Sequence, residues 1–408
     1  MRGTSFLPFP VTPGGHDAIG KGNVPQIYQR TVVRSSDGVF PSRCYFPVMK
    51  QTVLPLSDHC NGEIFVNSPL PEDWREAPRP PAWPEPPAPP QSAAQAGKKR
   101  RGVRPLVFLR WMIASLREKP PQDLEPDVPG NPHAVPGQGE VAVTFIGHDT
   151  FLLRFPLPDG GTLSVLTDPI FSERCSPLPF MGPKRFRPPA YQLADLPPID
   201  VVLVSHCHYD HLDLPSLRAL ARRDNPVVVT TAQTGDLIRK AGLSRVSELD
   251  WWQNVRIGDL EVVCTPARHF TQRGLTDAGK RLWGGFFLRF PKSQEIPSVF
   301  FAGDTAHGPH WKEIRTRLGA PDIALLPIGA YAPRPLLRKV HTDPVEAVEA
   351  FRQLQARHGI AMHFGTFPLS QEPLGEPERC LRETAEWAGL APDAFAPLGF
   401  GETRLLRR

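Results

Sequence analysis

The sequence contains few cysteines for its length and no closely spaced pair of them. Its 408 residues include six cysteines, which are scattered along the chain. This distribution argues against a disulfide framework, and we expect a reducing, cytoplasmic environment. The sequence also lacks any run of about 18 apolar residues, so we expect no membrane-spanning segment. Its amino terminus has no unbroken apolar stretch of the kind found in secretory signal peptides.

Charge of one sign is not strongly in excess either. Lys and Arg number 47 against 42 Asp and Glu, which gives a formal net charge of +5. This mild excess is compatible with a phosphate-bearing substrate or an anionic membrane surface. No basic stripe with interleaved aromatic residues occurs, so we expect no nucleic-acid partner. The sequence does not establish the oligomeric state, and homodimerisation stays open.

Proline, in contrast, is abundant, and its 50 residues are unevenly distributed. Residues 1–60 show no sustained periodicity and are predicted to form an irregular arm. Ten prolines lie between Pro69 and Pro90, where polyproline II geometry is favoured. We therefore predict a Pro-rich linker with a basic amphipathic helix over 61–137 and a main folded domain over 138–408.

The predicted amphipathic helix follows a basic stretch at 97–104. Its apolar positions at helical spacing, within 106–117, are Leu109, Met112, Ile113 and Leu116. With the basic stretch before it, the helix suits the surface of an anionic membrane, and binding there would make this a peripheral membrane protein. The alternative is a helix docked on the main domain, with its basic side chains in solvent.

From about residue 138, short apolar runs alternate with turn signals and later with helical patterns. The predicted strands are 141–147, 162–169, 201–206, 227–231, 261–267, 298–305, 323–328 and 360–365. The predicted helices include 214–223 and 344–359. Continuous apolar strands are typical of sheets buried on both faces, so we predict an α/β fold in which helices cover the sheets.

The most distinctive motif is S-H-C-H-Y-D-H at 205–211, at the end of a predicted buried strand. His206 and His208 are two residues apart, so an extended strand end aims both to one side. Asp210 and His211 follow across a tight turn and can face a second ion a few ångströms away. Imidazole and carboxylate groups are the natural ligands of zinc. The motif therefore predicts a metal site.

Three further candidate ligands end other apolar runs, namely His269, Asp304 and His363. Taken singly, each could be a buried, hydrogen-bonded histidine or a capping aspartate. Taken together, they supply the ligands that the first motif lacks for two metal ions. We therefore predict a binuclear site at the carboxyl ends of several strands.

The spacing H-x-H-x-D-H, with a later His, Asp and His, resembles the metallo-β-lactamase superfamily. Further motifs resemble the N-acyl-phosphatidylethanolamine-hydrolysing phospholipase D family over roughly residues 140 to 402. These motifs are T-D-P-I-F-S-x-R-x-S-P (167–177), M-G-P-K-R-F (181–186), L-P-P-I-D (196–200), E-L-D-W-W (248–252), F-A-G-D-T (301–305), P-I-G-A-Y-x-P-R (327–334) and H-x-D-P-x-E-A-V (341–348).

This resemblance implies a four-layered αββα sandwich as the catalytic domain over 138–408, with a Pro-rich extension before it. It also implies two zinc ions. One would be held by His206, His208 and His269, the other by Asp210, His211 and His363, with Asp304 bridging them. The implied catalytic residues are Asp210, Asp304 and His341, a histidine that the family places beside the metals.

His341 also has a local rationale, because Asp343 and Pro344 predict the start of a helix directly after it. A histidine there would lie near the partial positive charge of a helix amino terminus, which is a natural phosphate site. The alternative is a histidine that only packs in the loop.

Four more residues are candidate substrate contacts, namely Trp251, Trp252, Lys184 and Arg185. The tryptophans could line an acyl-chain channel or pack on the core, and the basic pair could face an anionic substrate or solvent. His148 matches G-H-x-T in the family, and we expect it to support the site rather than bind metal.

We therefore expect a zinc-dependent phosphodiester hydrolase of the phospholipase D type, which would cleave N-acyl-phosphatidylethanolamine to N-acylethanolamine and phosphatidate. One alternative is a lactone or other ester hydrolase on the same metal core, because a fold and its metals do not fix the substrate. Another is a membrane-associated zinc-binding interaction protein. The binuclear His/Asp set disfavours that alternative, since structural zinc sites close with four ligands.

Overall fold

The computed structural model describes residues 48–49, 59–60, 63–72, 74–80 and 127–408. These residues all belong to one compact unit, Phe46–Arg408. The predicted helix at 106–117 and nearly all of the predicted arm at 1–60 lie outside the described residues, so the predicted division into segments stays a prediction. Within the described part of the chain, no helix is long and apolar enough to cross a membrane.

Two β-sheets form the body of the fold. Their strands, in chain order, are β1 (Val48–Met49), β2 (Glu140–Gly147), β3 (Thr150–Pro156), β4 (Thr162–Thr167), β5 (Val201–Val204), β6 (Val227–Thr231), β7 (Val246–Leu249), β8 (Asn254–Ile257), β9 (Leu260–Thr265), β10 (Gly285–Arg289), β11 (Val299–Phe301), β12 (Ile323–Pro327), β13 (His358–Met362), β14 (Phe395–Ala396) and β15 (Thr403–Arg407). The seven-stranded sheet has the order β15-β2-β3-β4-β5-β6-β7, and the eight-stranded sheet has the order β1-β8-β9-β10-β11-β12-β13-β14.

Strand β5 shows why the seven-stranded sheet is buried on both faces. Val201 and Leu203 pack into a core that also contains side chains of the eight-stranded sheet. Val202 and Val204 point the other way and join a second core on the outer face. Because side chains alternate across a strand, a continuous apolar run supplies both cores.

Helices cover the outer faces of both sheets. The described helices are α1 (Leu214–Arg223), α2 (Gly235–Lys240), α3 (His310–Leu318), α4 (Arg334–Leu337), α5 (Pro344–Leu354) and α6 (Glu376–Trp387), with a 3-10 turn at Leu193–Asp195. Leu217 of α1 and Ile238 of α2 pack on the outer core of the seven-stranded sheet. Phe351 of α5 and Leu381 of α6 pack against the eight-stranded sheet. The order helix, sheet, sheet, helix confirms the predicted αββα sandwich.

Some elements differ from the predictions. The helix predicted over 344–359 ends at Leu354, because Gln355 adopts a left-handed conformation with φ 54°. The predicted helix start is confirmed, since the Asp343 side chain accepts a hydrogen bond of 2.9 Å from the Glu346 amide. Among the described strands, β1, β3, β7, β8, β10, β14 and β15 have no counterpart among the predicted strands.

Strand directions bring several strand ends to one edge of each sheet. β9 is antiparallel to β10, and β10 is antiparallel to β11, so β9 and β11 run the same way. β12 and β13 are parallel to β11. In the other sheet, β4, β5 and β6 are parallel. The carboxyl ends of parallel strands are where open α/β sheets place ligands. The predicted metal ligands follow the carboxyl ends of the parallel-paired strands β5, β11 and β13 and of β9, which runs in the same direction as β11.

Candidate metal centre

The loop after β5, residues 206–211, carries four of the predicted ligands and is braced by Arg273. The Arg273 guanidinium donates hydrogen bonds to the carbonyl oxygens of Cys207 (2.7 Å) and Leu212 (2.9 Å). It also lies 3.9 Å from the centre of the Tyr209 ring. These contacts hold the loop between His206 and His208 and directly after His211. No pattern in the sequence indicates this role, because Arg273 belongs to a distant loop.

Three predicted ligands converge on one side of Asp304. Nε2 of His206 lies 2.9 Å from Nδ1 of His208, and Nε2 of His269 lies 3.2 Å from that same atom. Oδ2 of Asp304 lies 3.9 Å from Nε2 of His206 and 3.6 Å from Nε2 of His269. Tetrahedral zinc ligands with bonds of about 2.1 Å stand about 3.4 Å apart. The structure therefore brings these four donors together at a spacing that fits one ion.

The other predicted ligands also lie around Asp304. Nε2 of His211 lies 3.2 Å from Oδ2 of both Asp210 and Asp304. Nε2 of His363 lies 3.1 Å from Oδ1 of Asp304 and 3.5 Å from Oδ2 of Asp210. Asp304 thus contacts both groups, as a bridging residue would. His148 approaches Asp210 as well, with Nε2 3.0 Å from Oδ2.

Several backbone positions at the centre are conformationally demanding. His148 (φ 58°), Asp168 (φ 31°) and His363 (φ 59°) have positive φ angles, although none is glycine. Such conformations cost about 1–3 kcal/mol each and cluster at functional sites. Gly303, which precedes Asp304, has φ 59°, and a Cβ there would lie 2.8 Å from the Cβ of Ser205. Glycine therefore lets the end of β11 approach the end of β5.

Asp168, which lies in the T-D-P motif after β4, orients two of the histidines. Nδ1 of His211 donates to Oδ2 of Asp168 (2.7 Å). The Ser205 hydroxyl donates to the same oxygen (2.5 Å) and lies 3.0 Å from Nδ1 of His206. With the proton on Nδ1, each ring turns the lone pair of Nε2 toward the centre, which is the arrangement of metal-bound histidines. The sequence alone assigns Asp168 no such role.

His269 is held by two other parts of the chain. Its Nδ1 donates to the carbonyl oxygen of Val340 (2.8 Å). The Asn67 side chain accepts from the His269 amide (3.1 Å) and donates to the His269 carbonyl oxygen (2.9 Å). Asn67 lies in the segment predicted to be a linker, 202 residues before His269. No local pattern could reveal a contact over that separation.

Several buried polar atoms at this centre have no hydrogen-bond partner. Among the described residues, they include Nε2 of His211, both ring nitrogens of His363, Oδ1 of Asp304, Nδ1 of His341 and both carboxylate oxygens of Asp149. Buried polar atoms are rarely left without a partner. Cations would satisfy them, because imidazole nitrogens and carboxylate oxygens are metal ligands. The residues present therefore fit divalent metal ions.

The electrostatic environment gives His206, His208 and Asp304 the protonation states that metal ligands need. At His211 and His363, burial acts to lower the pKa, but Asp304 and the neighbouring carboxylates outweigh it and raise the pKa well above its usual value. Burial and neighbouring histidines lower the pKa of His206 well below its usual value and that of His208 to about 3, so both rings are neutral. Burial acts to raise the pKa of Asp304, but the surrounding histidines outweigh it and hold that pKa well below its usual value. Asp149 differs, since burial raises the pKa of its carboxyl to about 7.

His341 lies at the rim of the centre, with Nδ1 3.9 Å from Oδ2 of Asp304. Its carbonyl oxygen accepts from Arg334 (2.8 Å), and its amide donates to the carbonyl oxygen of Leu337 (2.9 Å). Burial lowers the pKa of the ring well below its usual value, so the ring is neutral. The structure therefore fixes a neutral histidine where a substrate at the metals could receive a hydrogen bond.

The amino end of α5, just after His341, is where the sequence suggests a phosphate site. Oδ2 of its N-cap residue, Asp343, lies 2.8 Å from the guanidinium of Arg79 and 3.0 Å from Nε of Arg334. Arg334 also pairs with Glu346 in the first turn. This network of ion pairs occupies the helix start, and a phosphate contact beside it stays a prediction.

The predicted substrate contacts Trp251 and Trp252 lie together directly after β7. Trp251 is buried, donates from Nε1 to the carbonyl oxygen of Trp283 (2.7 Å) and stacks on His59 at 3.8 Å. Trp252 is half-buried, with the Arg317 guanidinium 4.2 Å from its ring centre. Both tryptophans line a cavity of about 290 Å³. Contact with substrate stays a prediction for each.

The other two predicted contacts differ in exposure. Lys184 is exposed and pairs with Glu173 (2.6 Å). Arg185 is buried and donates to the carbonyl oxygens of Ile170 (2.9 Å) and Ser172 (3.0 Å), so it braces the loop after β4. A role in substrate binding stays a prediction for both residues.

A second cavity, of about 230 Å³, lies directly beside the metal centre. His148 and His363 line its inner side. Phe186, Phe367 and Leu369 contribute apolar surface to its wall. The cavity therefore has a polar end, formed by these two histidines, and an apolar wall.

Known proteins resemble this chain across the region that contains the site. The family model described as the beta-lactamase superfamily domain matches residues 164–364, which include all the predicted ligands. An uncharacterized protein of Mycobacterium tuberculosis is 38% identical over 251 residues, which are 60% of this chain and 64% of that protein. The chain thus matches slightly less than two thirds of that relative.

Two further comparisons concern a named enzyme and a solved structure. The N-acyl-phosphatidylethanolamine-hydrolyzing phospholipase D 1 of Caenorhabditis elegans is 36% identical over 273 residues, 64% of this chain and 74% of the relative. The crystal structure of isothiocyanate hydrolase from Delia radicum gut bacteria has a TM-score of 0.51 and 19% identity, covering 65% of this chain and 100% of that chain. The latter likeness shows a shared fold. The chain therefore belongs to the metallo-β-lactamase superfamily of hydrolases, and within it resembles the N-acyl-phosphatidylethanolamine-hydrolysing phospholipases D.

Proposed function

We propose that this chain is a metal-dependent phosphodiester hydrolase of the phospholipase D type with two zinc ions as cofactors. Its substrate would be N-acyl-phosphatidylethanolamine, and its products N-acylethanolamine and phosphatidate. One observation carries the proposal: two groups of His and Asp donors meet at Asp304, with His341 beside them. The resemblance to the Caenorhabditis elegans phospholipase D supports the choice of substrate.

The donor sets explain how the chain would hold two ions. His206, His208 and His269 form the first set with Oδ2 of Asp304, and their ligand atoms lie within 4.8 Å of one another. The second set is Asp210, His211 and His363, to which Asp304 turns both of its oxygens. Ions bound there would supply Lewis-acid chemistry, which activates water at neutral pH and offsets negative charge on a phosphoryl group.

His341 would act on the substrate directly. Its ring is neutral, and its Nδ1 has no hydrogen-bond partner among the described residues. We assign it a hydrogen bond to a phosphoryl oxygen whose negative charge grows as the diester is attacked. A fixed donor that meets charge only in the transition state contributes about 10²–10³-fold to turnover. Arg334, which holds the His341 carbonyl oxygen, would keep the ring in place.

Apolar side chains around the centre support a lipid substrate. Phe270 is 36% exposed and Leu275 is 96% exposed, and both follow His269 in the same loop. Leu336, which is 61% exposed, belongs to α4, shortly before His341. A contiguous exposed apolar patch marks surfaces that contact membranes or other apolar partners, and we propose that these three side chains belong to one. With the apolar wall of the adjacent cavity, they suit a peripheral approach to phospholipid.

The test uses the full chain with vesicles that contain N-acyl-phosphatidylethanolamine, and mass spectrometry identifies the products. We expect N-acylethanolamine and phosphatidate, loss of both after chelation, and recovery on adding zinc. Asp304→Asn should abolish turnover and reduce bound metal, because it removes the charge shared by both donor sets. The matched control is Asp322→Asn, since Asp322 lies before β12, away from the strand ends that carry the ligands. Its activity should equal that of the parent.

Other outcomes discriminate the alternative functions. Metal-dependent turnover of a lactone or carboxylic ester, with none of the phospholipid, would assign the centre to a different ester hydrolase. A single bound zinc per chain without any hydrolysis would instead indicate an interaction protein. Full phospholipase activity in Asp304→Asn after metal removal would overturn the two-ion mechanism.

A further inference from the structure

The carboxylate of Asp149 lies beside the two donor sets but belongs to neither. Asp149 lies in the tight connection between β2 and β3, directly after His148, and is fully buried. It is absent from the ligand set that the family resemblance implies. Neither of its carboxylate oxygens has a hydrogen-bond partner within the described residues. Burial of an ionised carboxylate without a donor or a cation is strongly unfavourable, so this position requires an explanation.

The nearest nitrogen does not supply that partner. Nδ1 of His211 lies 3.5 Å from Oδ2 of Asp149, but the same nitrogen already donates to Asp168 at 2.7 Å. One N–H cannot serve both carboxylates well, and the shorter, better hydrogen bond goes to Asp168.

The backbone of Asp149 is fixed, so its side chain cannot turn away to water easily. The Thr167 hydroxyl donates to the Asp149 carbonyl oxygen (2.6 Å). The adjacent Thr150 hydroxyl donates to the Asp168 carbonyl oxygen (2.8 Å). These bonds tie the connection between β2 and β3 to the end of β4. The carboxylate is therefore held in its buried position by the surrounding structure.

The partner that Asp149 lacks could be a proton or a metal ion, and the neighbouring atoms favour a metal ion. Asp149, His211, Asp304 and His363 each offer one ligand atom, and these atoms all lie within 4.8 Å of one another. Oδ1 of Asp304 and both ring nitrogens of His363 also lack hydrogen-bond partners. A proton on Asp149 would satisfy Asp149 alone. One ion among the four would satisfy unpartnered atoms on all of them.

We propose that Asp149 is a further metal ligand, which can bind the second ion together with His211, His363 and Asp304. This inference rests on the binuclear centre of the proposed function. The ion held by His211 and His363 would then have a carboxylate available on either side, from Asp149 or from Asp210. Its surroundings are richer in oxygen than those of the first ion, which has three imidazoles and one carboxylate. Oxygen-rich sites suit harder ions such as Mn²⁺ better than imidazole-rich sites do.

The experiment measures ion binding without substrate. The full chain is stripped of metal with a chelator and titrated separately with Zn²⁺ and Mn²⁺ against a chromophoric competitor, and elemental analysis gives the stoichiometry. We expect two ions per parent chain. In Asp149→Asn, the affinity for one ion should fall by about tenfold or more while the other is unchanged. The loss should be larger for Mn²⁺ than for Zn²⁺.

Two further variants exclude a general effect of losing a carboxylate or of misfolding. Asp322→Asn, which removes a buried carboxylate that accepts from Ser298 (2.8 Å), should bind both ions like the parent. Asp149→Ser, which also removes the carboxylate, should give the same selective loss as Asp149→Asn. Without metal, Asp149→Asn should melt at or above the temperature of the parent, because it removes a buried carboxyl group whose oxygens have no hydrogen-bond partner among the described residues. A lower metal-free melting temperature would indicate a structural role and overturn the proposal.

The outcomes separate this inference from the proposed function. If Asp149→Asn and Asp149→Ser bind both ions as tightly as the parent, Asp149 is not a ligand, and the phospholipase proposal is unaffected. If the parent binds two ions, the Asp149 variants lose one, and no phospholipid is cleaved, the substrate assignment fails and the ligand assignment stands.

Discussion

At the scale of single residues, we infer that Asp168 orients two of the ligand histidines, and replacing it tests this role. It accepts from Nδ1 of His211 and, through Ser205, reaches Nδ1 of His206. We expect Asp168→Asn to weaken zinc binding, because an amide is a weaker acceptor and can turn an N–H toward Nδ1, which disfavours the required tautomer. Residues that support metal-bound histidines contribute about 10–100-fold to metal affinity. Competition between the stripped protein and a chromophoric chelator measures the loss.

The control for this prediction is again a buried carboxylate away from the centre. Asp322 accepts from the amide and the hydroxyl of Ser298, both at 2.8 Å, so Asp322→Asn disturbs a comparable pair of hydrogen bonds. Its zinc affinity should match that of the parent. Equal zinc affinity in Asp168→Asn and in the parent would show that Asp168 does not orient the histidines.

The ligand residues could be predicted from the sequence far better than the residues that support them. The motif at 205–211 is local, and the chemistry of its side chains is specific. Asp168 follows an ordinary strand and Asp149 precedes one. An aspartate at such a position can have many structural roles. Only the pairing of β4 with β5, in which Leu166 lies opposite Val202, brings Asp168 next to the ligand loop. That pairing is a property of the folded sheet, which no short motif reports.

At the scale of elements, the described residues 63–80 clamp one edge of the site. Asn67 forms two hydrogen bonds with the backbone of His269, and Arg79 pairs with Asp343 at the start of α5. We expect Asn67→Ala to lower the free energy of unfolding by about 1–3 kcal/mol, because it leaves polar backbone groups of buried His269 without partners. Zinc affinity should fall as well, since His269 is a predicted ligand. Urea unfolding of the metal-loaded protein measures the first effect.

The neighbouring Ser68→Ala variant is the matched control. Ser68 is exposed, and Arg268 donates to its carbonyl oxygen (2.7 Å) rather than to its side chain. Its replacement should change the free energy of unfolding by less than about 0.5 kcal/mol. Equal stability of the Asn67→Ala and Ser68→Ala proteins would mean that the clamp does not hold His269.

Composition predicts some elements and misses others for a physical reason. Val227–Thr231 forms a strand over the residues predicted, because a run of β-branched residues suits a strand buried on both faces. β7, with the sequence VSEL, is half-buried in alternation and resembles an exposed turn when read alone. The many prolines of 63–80 predict an extended chain. They do not predict that Asn67 and Arg79 would reach the site, because such contacts depend on the tertiary fold.

At the scale of the whole molecule, the metal centre joins the two sheets. The loop 206–211 follows β5 of the seven-stranded sheet, whereas His269, Asp304 and His363 follow strands of the eight-stranded sheet. Without cations, Asp149, which is fully buried, and Asp304 lie among unpartnered groups at this junction. Bound ions would therefore link the sheets and satisfy these buried polar atoms, so metal content should affect the stability of the entire unit.

We therefore expect chelation to lower the melting temperature of the whole domain in one transition. Each ion present at about 100 times its dissociation constant adds about 2.7 kcal/mol to the free energy of unfolding. Calorimetry of the loaded, stripped and zinc-refilled protein measures the change, and refilling should restore it. The Asp304→Asn protein should respond much less to chelator, because it has lost the carboxylate that contacts both donor sets. An equal response in parent and variant would show that the stabilising ions bind elsewhere.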